Sequence, residues 1–347
     1  MIRIPHARPS ITEQDVERVA AVVRSGQLAQ GPEVAALERE LAVRLAVQAA
    51  AVVASGTAAL ELALRALEVG PGHEVLIPSY VCDALHHAVT RAGASPVLVD
   101  ADPETLSLSA KDAEARLTRR TRAIIVPHPF GLVVDLAPFV ALGVPVVEDC
   151  AQALGAPLGG RPLGATAALG VCSFYATKMI AAGEGGAVIG SARLVARVRD
   201  AREYDEREAL APRVNAKLTD MQAALARSQL ARLDAFVARR RAIAARYRAR
   251  LARADCRLPV EGDRPHVFHR FVIGLDRDPV TVQAALAAAG IAARRPVFRP
   301  LHRALGLEGY PEAERLWSSA LSIPCYPALA DGEVEDVADS LLAALRR

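Results

Sequence analysis

From residue 49 to residue 190, short apolar runs of strand length alternate with amphipathic helical segments, and few folds accept that order. AAAVVA leads into SGTAALELALRAL, HEVLIPS into DALHHAVTRAG and then SPVLVDAD, and RAIIVPH into PVVEDCAQAL and LGVCSFYATK. Continuous Val and Ile runs, without apolar–polar alternation, mark strands covered on both faces. The expectation is an α/β fold with a mostly parallel central sheet. The 347 residues suffice for one large domain and a smaller one.

Ahead of these units, ITEQDVERVAAVV (residues 11–23) has helical spacing with Ser10 as the expected cap, and PEVAALERELAVRLA repeats the pattern. After about residue 200 the rhythm changes. One long helix is expected from Thr219 to Leu251, with Met221, Ala224, Leu225, Leu230 and Leu233 on a stripe. Short strands in HVFHRFVIGL, a helix in PVTVQAALAAAG and a final helix in EVEDVADSLLAALRR then read as a smaller α+β unit. The expected division is 1–235 for the large domain and 236–347 for the small one.

Composition removes several classes of function. Net charge is +3 with 23% charged residues, and the Arg-rich TRRTR and ARRRAIAARYRAR fall on helical patterns with a single aromatic residue, Tyr247, and no series of stacking platforms. They read as solvated helix faces, and no nucleic-acid partner is expected. The five cysteines (Cys82, Cys150, Cys172, Cys256, Cys325) are widely spaced without a CxxC, so neither a disulfide framework nor a metal site is expected. MIRIPHARPSITEQD has no apolar signal core and no run is long enough to span a bilayer, so a cytoplasmic protein with no membrane partner is expected.

Three segments carry possible chemistry. Ser55-Gly56-Thr57 joins a strand run to a helix start, where free N–H groups and a positive dipole end can bind phosphate, or where Ser and Thr merely cap the helix. Glu148-Asp149 ends the run VPVV, at the carboxyl end of a strand where ligands lie in open α/β sheets, or caps AQAL; Glu148 reads as the structural one of the two. In SFYATKMIAAGEGGAV, Lys178 closes a strand-like run and precedes Gly183, Gly185 and Gly186. A lone lysine at a strand end is commonly a surface residue, but a desolvated one is a nucleophilic amine. In this order, a phosphate turn, an acid and a lysine meet the needs of pyridoxal 5′-phosphate (PLP): anchor, ring-nitrogen partner and Schiff-base amine.

With these motifs in place, the chain resembles the DegT/DnrJ/EryC1/StrS family of PLP-dependent aminotransferases, which has the aspartate-aminotransferase-like type I fold. The likeness runs from SGQLAQGPEVAALEREL through ASGTAALELALRALEVGPGHEVLIPSY, VPVVEDCAQALGA, SFYATKMIAAGEGG and NAKLTDMQAALARSQLARLD to GIAARRPVFRPLH and LSIPCYPAL. The resemblance implies that Gly56, Thr57 and Ala58 form the phosphate turn and that Ser173 contacts the same phosphate. It implies Asp149 at the pyridine nitrogen, Gln152 near the ring hydroxyl, Lys178 as Schiff-base lysine, and Asn215 reaching the cofactor of a neighbouring subunit. A homodimer with shared sites follows from that last role.

The chain also departs from the family. Where an aromatic residue often stacks on the ring, it has Cys82, leaving Tyr80, His86 or His87, or no aromatic residue at all, as alternatives. Asn215-Ala216-Lys217 replaces Asn-x-Arg, GHEV with His73 replaces GDEV, and RRPVFRPLH lacks the frequent tyrosine. The expected reaction moves an amino group from L-glutamate or glutamine to a keto acceptor, with a nucleotide-linked keto-sugar leading by resemblance. Arg294, Arg295, Arg299 and His302 are candidates to meet its diphosphate or a carboxylate, or form a solvated loop. The alternatives are a PLP-dependent lyase or dehydratase, which Lys178 argues against because dehydrating relatives carry histidine there, other imine chemistry on a non-sugar ketone, and a non-catalytic PLP-binding regulator.

Overall fold

The seven strands of the central sheet lie in the order β1-β9-β8-β5-β4-β2-β3. They are β1 (Ala49–Val53), β2 (Glu74–Pro78), β3 (Ser95–Val99), β4 (Thr121–Pro127), β5 (Val146–Asp149), β8 (Leu169–Ser173) and β9 (Gly186–Gly190), in a computed structural model that describes residues 2–205, 208–260 and 264–346. Every pairing from β8 through β3 is parallel; β9 alone runs antiparallel, between β1 and β8. Burial explains the continuous apolar runs, since β1, β2, β5 and β8 are buried at every position. No described helix is long and apolar enough to cross a membrane.

Local chemistry moved several boundaries. The first helix is Glu13–Ser25, capped by Thr12 and not Ser10: the Thr12 N–H donates to Asp15 Oδ2 at 2.8 Å. The segment between β5 and β8 holds no helix, only the two-residue strands β6 (Pro157–Leu158) and β7 (Arg161–Pro162). Gly155, Gly159, Gly160 and Gly164 there all take positive φ, which a helix does not tolerate. The long helix breaks at Arg232 into Asp220–Ala231 and Leu233–Leu251, and the Arg232 guanidinium pairs with buried Asp15. On the expected stripe Ala224, Leu230 and Leu233 are buried, whereas Met221 and Leu225 are only half-buried.

Helix Leu233–Leu251 serves two cores: Leu233 and Val237 pack under the large sheet, and Ile243, Tyr247 and Leu251 pack with Phe271, Leu321 and Val334. The second core surrounds β10 (Phe271–Gly274), antiparallel to β11 (Ala320–Ile323). We propose the division after residue 235 on the strength of these two cores; Ile4, from the start of the chain, crosses to the second through a bridge to Ile291. Of HVFHRFVIGL only the end forms a strand. The residues before it bond to the turn Pro129–Gly131 that follows β4 instead, Val267 N–H to Gly131 O at 2.9 Å and Arg270 N–H to Phe130 O at 3.1 Å.

The outer edge of β1 has no strand beside it. Side chains close it: Val52 N–H donates to Glu38 at 3.0 Å, while Arg202 donates to Val52 O and Arg199 to Ala50 O, both at 2.7 Å. Arg202, 5% exposed, also pairs with Glu38. Replacing Glu38 with alanine strands that cation and the Val52 N–H, and is expected to lower unfolding free energy by about 3 kcal/mol in denaturant titration.

Candidate active site

Gly186 lies opposite Val53 of β1 on one side and Ser173 of β8 on the other. The turn after β1 crosses over this row. A Cβ on Gly186 would lie 2.6 Å from Ser55 O and 2.8 Å from Gly56 N, and one on Gly56 would lie 2.8 Å from Ser173 Cβ. The helix Gly56–Ala66 therefore starts directly above Ser173. Ser55 Oγ accepts from Ala58 N–H at 3.1 Å and Ser55 O from Ala59 N–H at 2.9 Å, which leaves the first-turn Gly56 and Thr57 N–H groups without intrahelical acceptors. Ala58 is thus a capping donor and does not line the cavity below.

Asp149 ends β5 in register with Pro127 and Val171. It is 8% exposed, its Oδ1 accepts from Ala151 N–H at 2.9 Å, and among the described residues no cation makes an ion pair with it. Burial raises its pKa, against the pull of the Ala151 N–H, Lys178 and His128. Glu148, one residue earlier, faces the other way and accepts from His128 Nε2 at 3.1 Å. His128 Nδ1 accepts from Val134 N–H at 3.0 Å, so the ring hydrogen is on Nε2. Gln152 Oε1 accepts from Phe130 N–H at 2.8 Å, leaving its amide NH2 for a ligand.

Lys178 does not close a strand. β8 ends at Ser173, and Lys178 stands in the loop of the β8–β9 hairpin. That loop is tied by Phe174 N–H to Gly185 O at 2.8 Å, Ala182 N–H to Phe174 O at 2.8 Å and Ala176 N–H to Gly183 O at 3.0 Å. Gly183 and Gly185 hold it at φ +79° and +139°. Burial lowers the Lys178 pKa and Arg270 adds to this, while Cys82 and Asp149 oppose it.

Ser55, Gly56, Thr57, Cys82, Asp149, Gln152, Ser173 and Lys178 line one cavity of about 250 Å³. The set fits PLP. Two free N–H groups and a hydroxyl stand at one end for a phosphate, a buried and unpaired carboxylate suits a protonated ring nitrogen, and a lysine amine is within the same walls. Tyr80 is 3% exposed in the core with its hydroxyl unpartnered, and neither it nor His86 or His87 lines the cavity. From that stretch the wall consists of Val81, Cys82, Ala84 and Leu85. Asn215 is exposed and away from this chain's own cavity.

Beyond Cys82 opens a cleft of about 940 Å³ lined by Arg270, Arg294, Arg295, Arg299 and Arg303, with no acidic residue among its described walls. Arg295 is partly committed, stacking on Trp317 and donating to Asp278 at 3.2 Å. His302 is not part of it: 4% exposed, it bonds Ser79 Oγ at 2.6 Å and Glu314 at 3.2 Å. His73, the other departure, holds a turn by accepting from Gly70 N–H at 3.1 Å. The residues that sequence reasoning missed are Arg270, Arg303, Tyr175 and His128. Arg270 carried the signal that marked Lys178, a single cation inside an apolar run.

The profile of the DegT/DnrJ/EryC1/StrS aminotransferase family matches residues 9–342. The chain belongs to this family. It is 36% identical over 323 residues to the UDP-N-acetyl-3-dehydro-alpha-D-glucosamine 3-aminotransferase of Acidithiobacillus ferrooxidans, covering 87% of this chain and 86% of that one. It is 35% identical over 341 residues to the dTDP-3-amino-3,4,6-trideoxy-alpha-D-glucose transaminase of Streptomyces venezuelae, covering 93% and 90%. The PLP-form structure of Streptococcus pneumoniae Spr1654 superposes with a TM-score of 0.94 at 27% identity over 99% of this chain and 98% of that one. The chain is a PLP-dependent aminotransferase of the type I fold.

Two outcomes follow for this DegT-family site. Gly186→Ala pushes backbone rather than a flexible side chain, so the dissociation constant of PLP should rise about tenfold or more with circular dichroism unchanged. Lys178 would meet the PLP aldehyde as a neutral amine, and its lowered pKa frees that amine at lower pH than in a free lysine. The rate of PLP uptake by apoenzyme should therefore rise with pH to a midpoint below 10.5, the ordinary lysine value.

Proposed function

We propose that this aminotransferase carries an amino group from L-glutamate or L-glutamine to a nucleotide-linked keto-sugar, and that it works in the cytoplasm as a homodimer with shared sites. The observation that carries the reading is the placement of Lys178 between an unpaired buried carboxylate and a cleft lined by five arginines without an acid. Arg303 is paired with Glu314 and Arg295 with Asp278, while among the described residues Arg270, Arg294 and Arg299 make no ion pair, and a nucleotide diphosphate supplies the negative charge that these three lack. Relatives named for UDP- and dTDP-linked sugars support the same substrate class. Exposed Asn215 supports the dimer, since it has no role in this chain's own cavity and is free to serve a neighbour's.

PLP, when bound, supplies an aldehyde for amines and a ring that spreads the electrons released from the substrate carbon. The chain's residues do the rest. The Gly56 and Thr57 N–H groups and the Ser173 hydroxyl bind the phosphate. The Asp149 carboxylate holds the proton on the ring nitrogen. Gln152 donates its amide hydrogen beside the ring hydroxyl. Lys178 Nζ, its pKa lowered by burial, takes and returns the substrate proton.

The test is spectroscopic. The visible band of the PLP-loaded enzyme should be lost on adding L-glutamate and should return on adding a keto-sugar nucleotide. Lys178→Ala should lower turnover by about 10³-fold or more. A band that no amino acid removes would sink the reading, as would full turnover by the alanine variant.

A further inference from the structure

Arg270 has a place in the molecule that the account above does not use. Together with Lys178 it lines a narrow second cavity behind the cofactor site, and with Cys82 it lines the arginine cleft. It is the residue that joins the two spaces. Its backbone is firmly held: its N–H donates to Phe130 O at 3.1 Å, and the two carbonyls before it, of Phe268 and His269, accept from the buried Arg240 at 3.3 and 3.0 Å. His269 adds a bond to the loop of the lysine, its Nε2 donating to Thr177 O at 3.0 Å. Chain and loop are thereby locked to each other, and the Arg270 side chain is positioned by both.

Its guanidinium has no counter-ion. Among the described residues it makes no ion pair and no side-chain hydrogen bond, and neither cavity that it lines contains an Asp or Glu. Arg294 and Arg240 repel it, as does Lys178, while Cys82 and Tyr80 beside it act in the opposite direction. A partly buried guanidinium among like charges is costly unless an anion arrives. Buried Arg202 differs, having Glu38, and buried Arg240 donates to the carbonyls of Phe268, His269 and Cys325, whereas the Arg270 side chain has neither kind of partner among the described residues.

We infer that Arg270 is the anchor for the α-carboxylate of the amino donor. The inference deepens the aminotransferase reading and rests on it. Position decides between the two anions that such an enzyme meets. The α-carboxylate is attached to the carbon that bears the reacting nitrogen, so its partner must stand beside Lys178, as Arg270 does. The diphosphate of a nucleotide-linked sugar is separated from the reacting carbon by part of the sugar ring. It suits Arg294 and Arg299, neither of which lines a cavity with Lys178; Arg303, on the same cleft, is already paired with Glu314. A guanidinium fork also matches a carboxylate in shape, with two parallel N–H···O bonds.

The experiment follows the donor half-reaction in PLP-loaded wild type, Arg270→Gln and Arg270→Lys by loss of the visible band against L-glutamate concentration. It is paired with the dissociation constants of PLP and of glutarate, which has carboxylates and no amine. For Arg270→Gln the L-glutamate concentration at half-saturation should rise about 100-fold and glutarate should weaken in parallel, with PLP affinity within about threefold of wild type. Arg270→Lys keeps the charge without the fork, and should fall between the two. Unchanged L-glutamate and glutarate binding in Arg270→Gln overturns the proposal. So does a loss of PLP affinity equal to the loss of donor affinity in both variants, since that marks a structural role. If wild type itself loses no band with any amino acid, the aminotransferase reading falls first and this proposal with it.

Discussion

The active site depends on three residues in a row across the sheet: Val53, Gly186 and Ser173. Strands lie about 4.8 Å apart, so inserting β9 between β1 and β8 separates the turn after β1 from Ser173 by about 10 Å. The turn recovers that distance by crossing over position 186, which is possible only where no side chain stands. Once it has crossed, the start of helix Gly56–Ala66 and the Ser173 hydroxyl address one point, and β5, the parallel neighbour of β8, carries Asp149 to the same cavity. β9 also makes β8 one arm of a hairpin, and the loop of that hairpin holds Lys178 over the space so formed.

Charge sorts the buried groups into two kinds. Glu38 with Arg202, Asp15 with Arg232 and Glu148 with His128 are satisfied within the chain and hold elements together. Asp149, Lys178 and Arg270 are pushed toward neutrality by burial, and none has an ion-pair partner among the described residues. These three surround the two cavities. The molecule thus leaves opposite charges waiting at places where ligand atoms supply the complement.

Much of this was legible in the sequence, for a physical reason in each case. Strands buried on both faces have no alternation to hide, so β1, β2, β4, β5 and β8 read directly. Lys178, Asp149 and Ser55-Gly56-Thr57 stood out because polar groups beside apolar strand runs need a partner. What failed was what depends on partners distant in the sequence. The break at Arg232 answers to Asp15, over two hundred positions earlier. His302 looked like part of a basic loop, yet Ser79 and Glu314 enclose it. Arg270 sat inside a run that reads as a strand, and only its own bond to Phe130 and those of Val267 and His269 to Gly131 and Thr177 show that the segment leaves the small sheet to meet loops of the large domain.

The edge of β1 has a bearing on assembly. An edge strand with bare N–H and C=O groups is an invitation for another chain to add a strand. Here Glu38, Arg199 and Arg202 occupy those groups from the side. The sheet is therefore closed to extension on the flank nearest the phosphate turn. Any second copy of the chain must meet it through helices and loops, and so can bring loop residues to the mouth of a neighbouring site without disturbing the strand register on which that site is built.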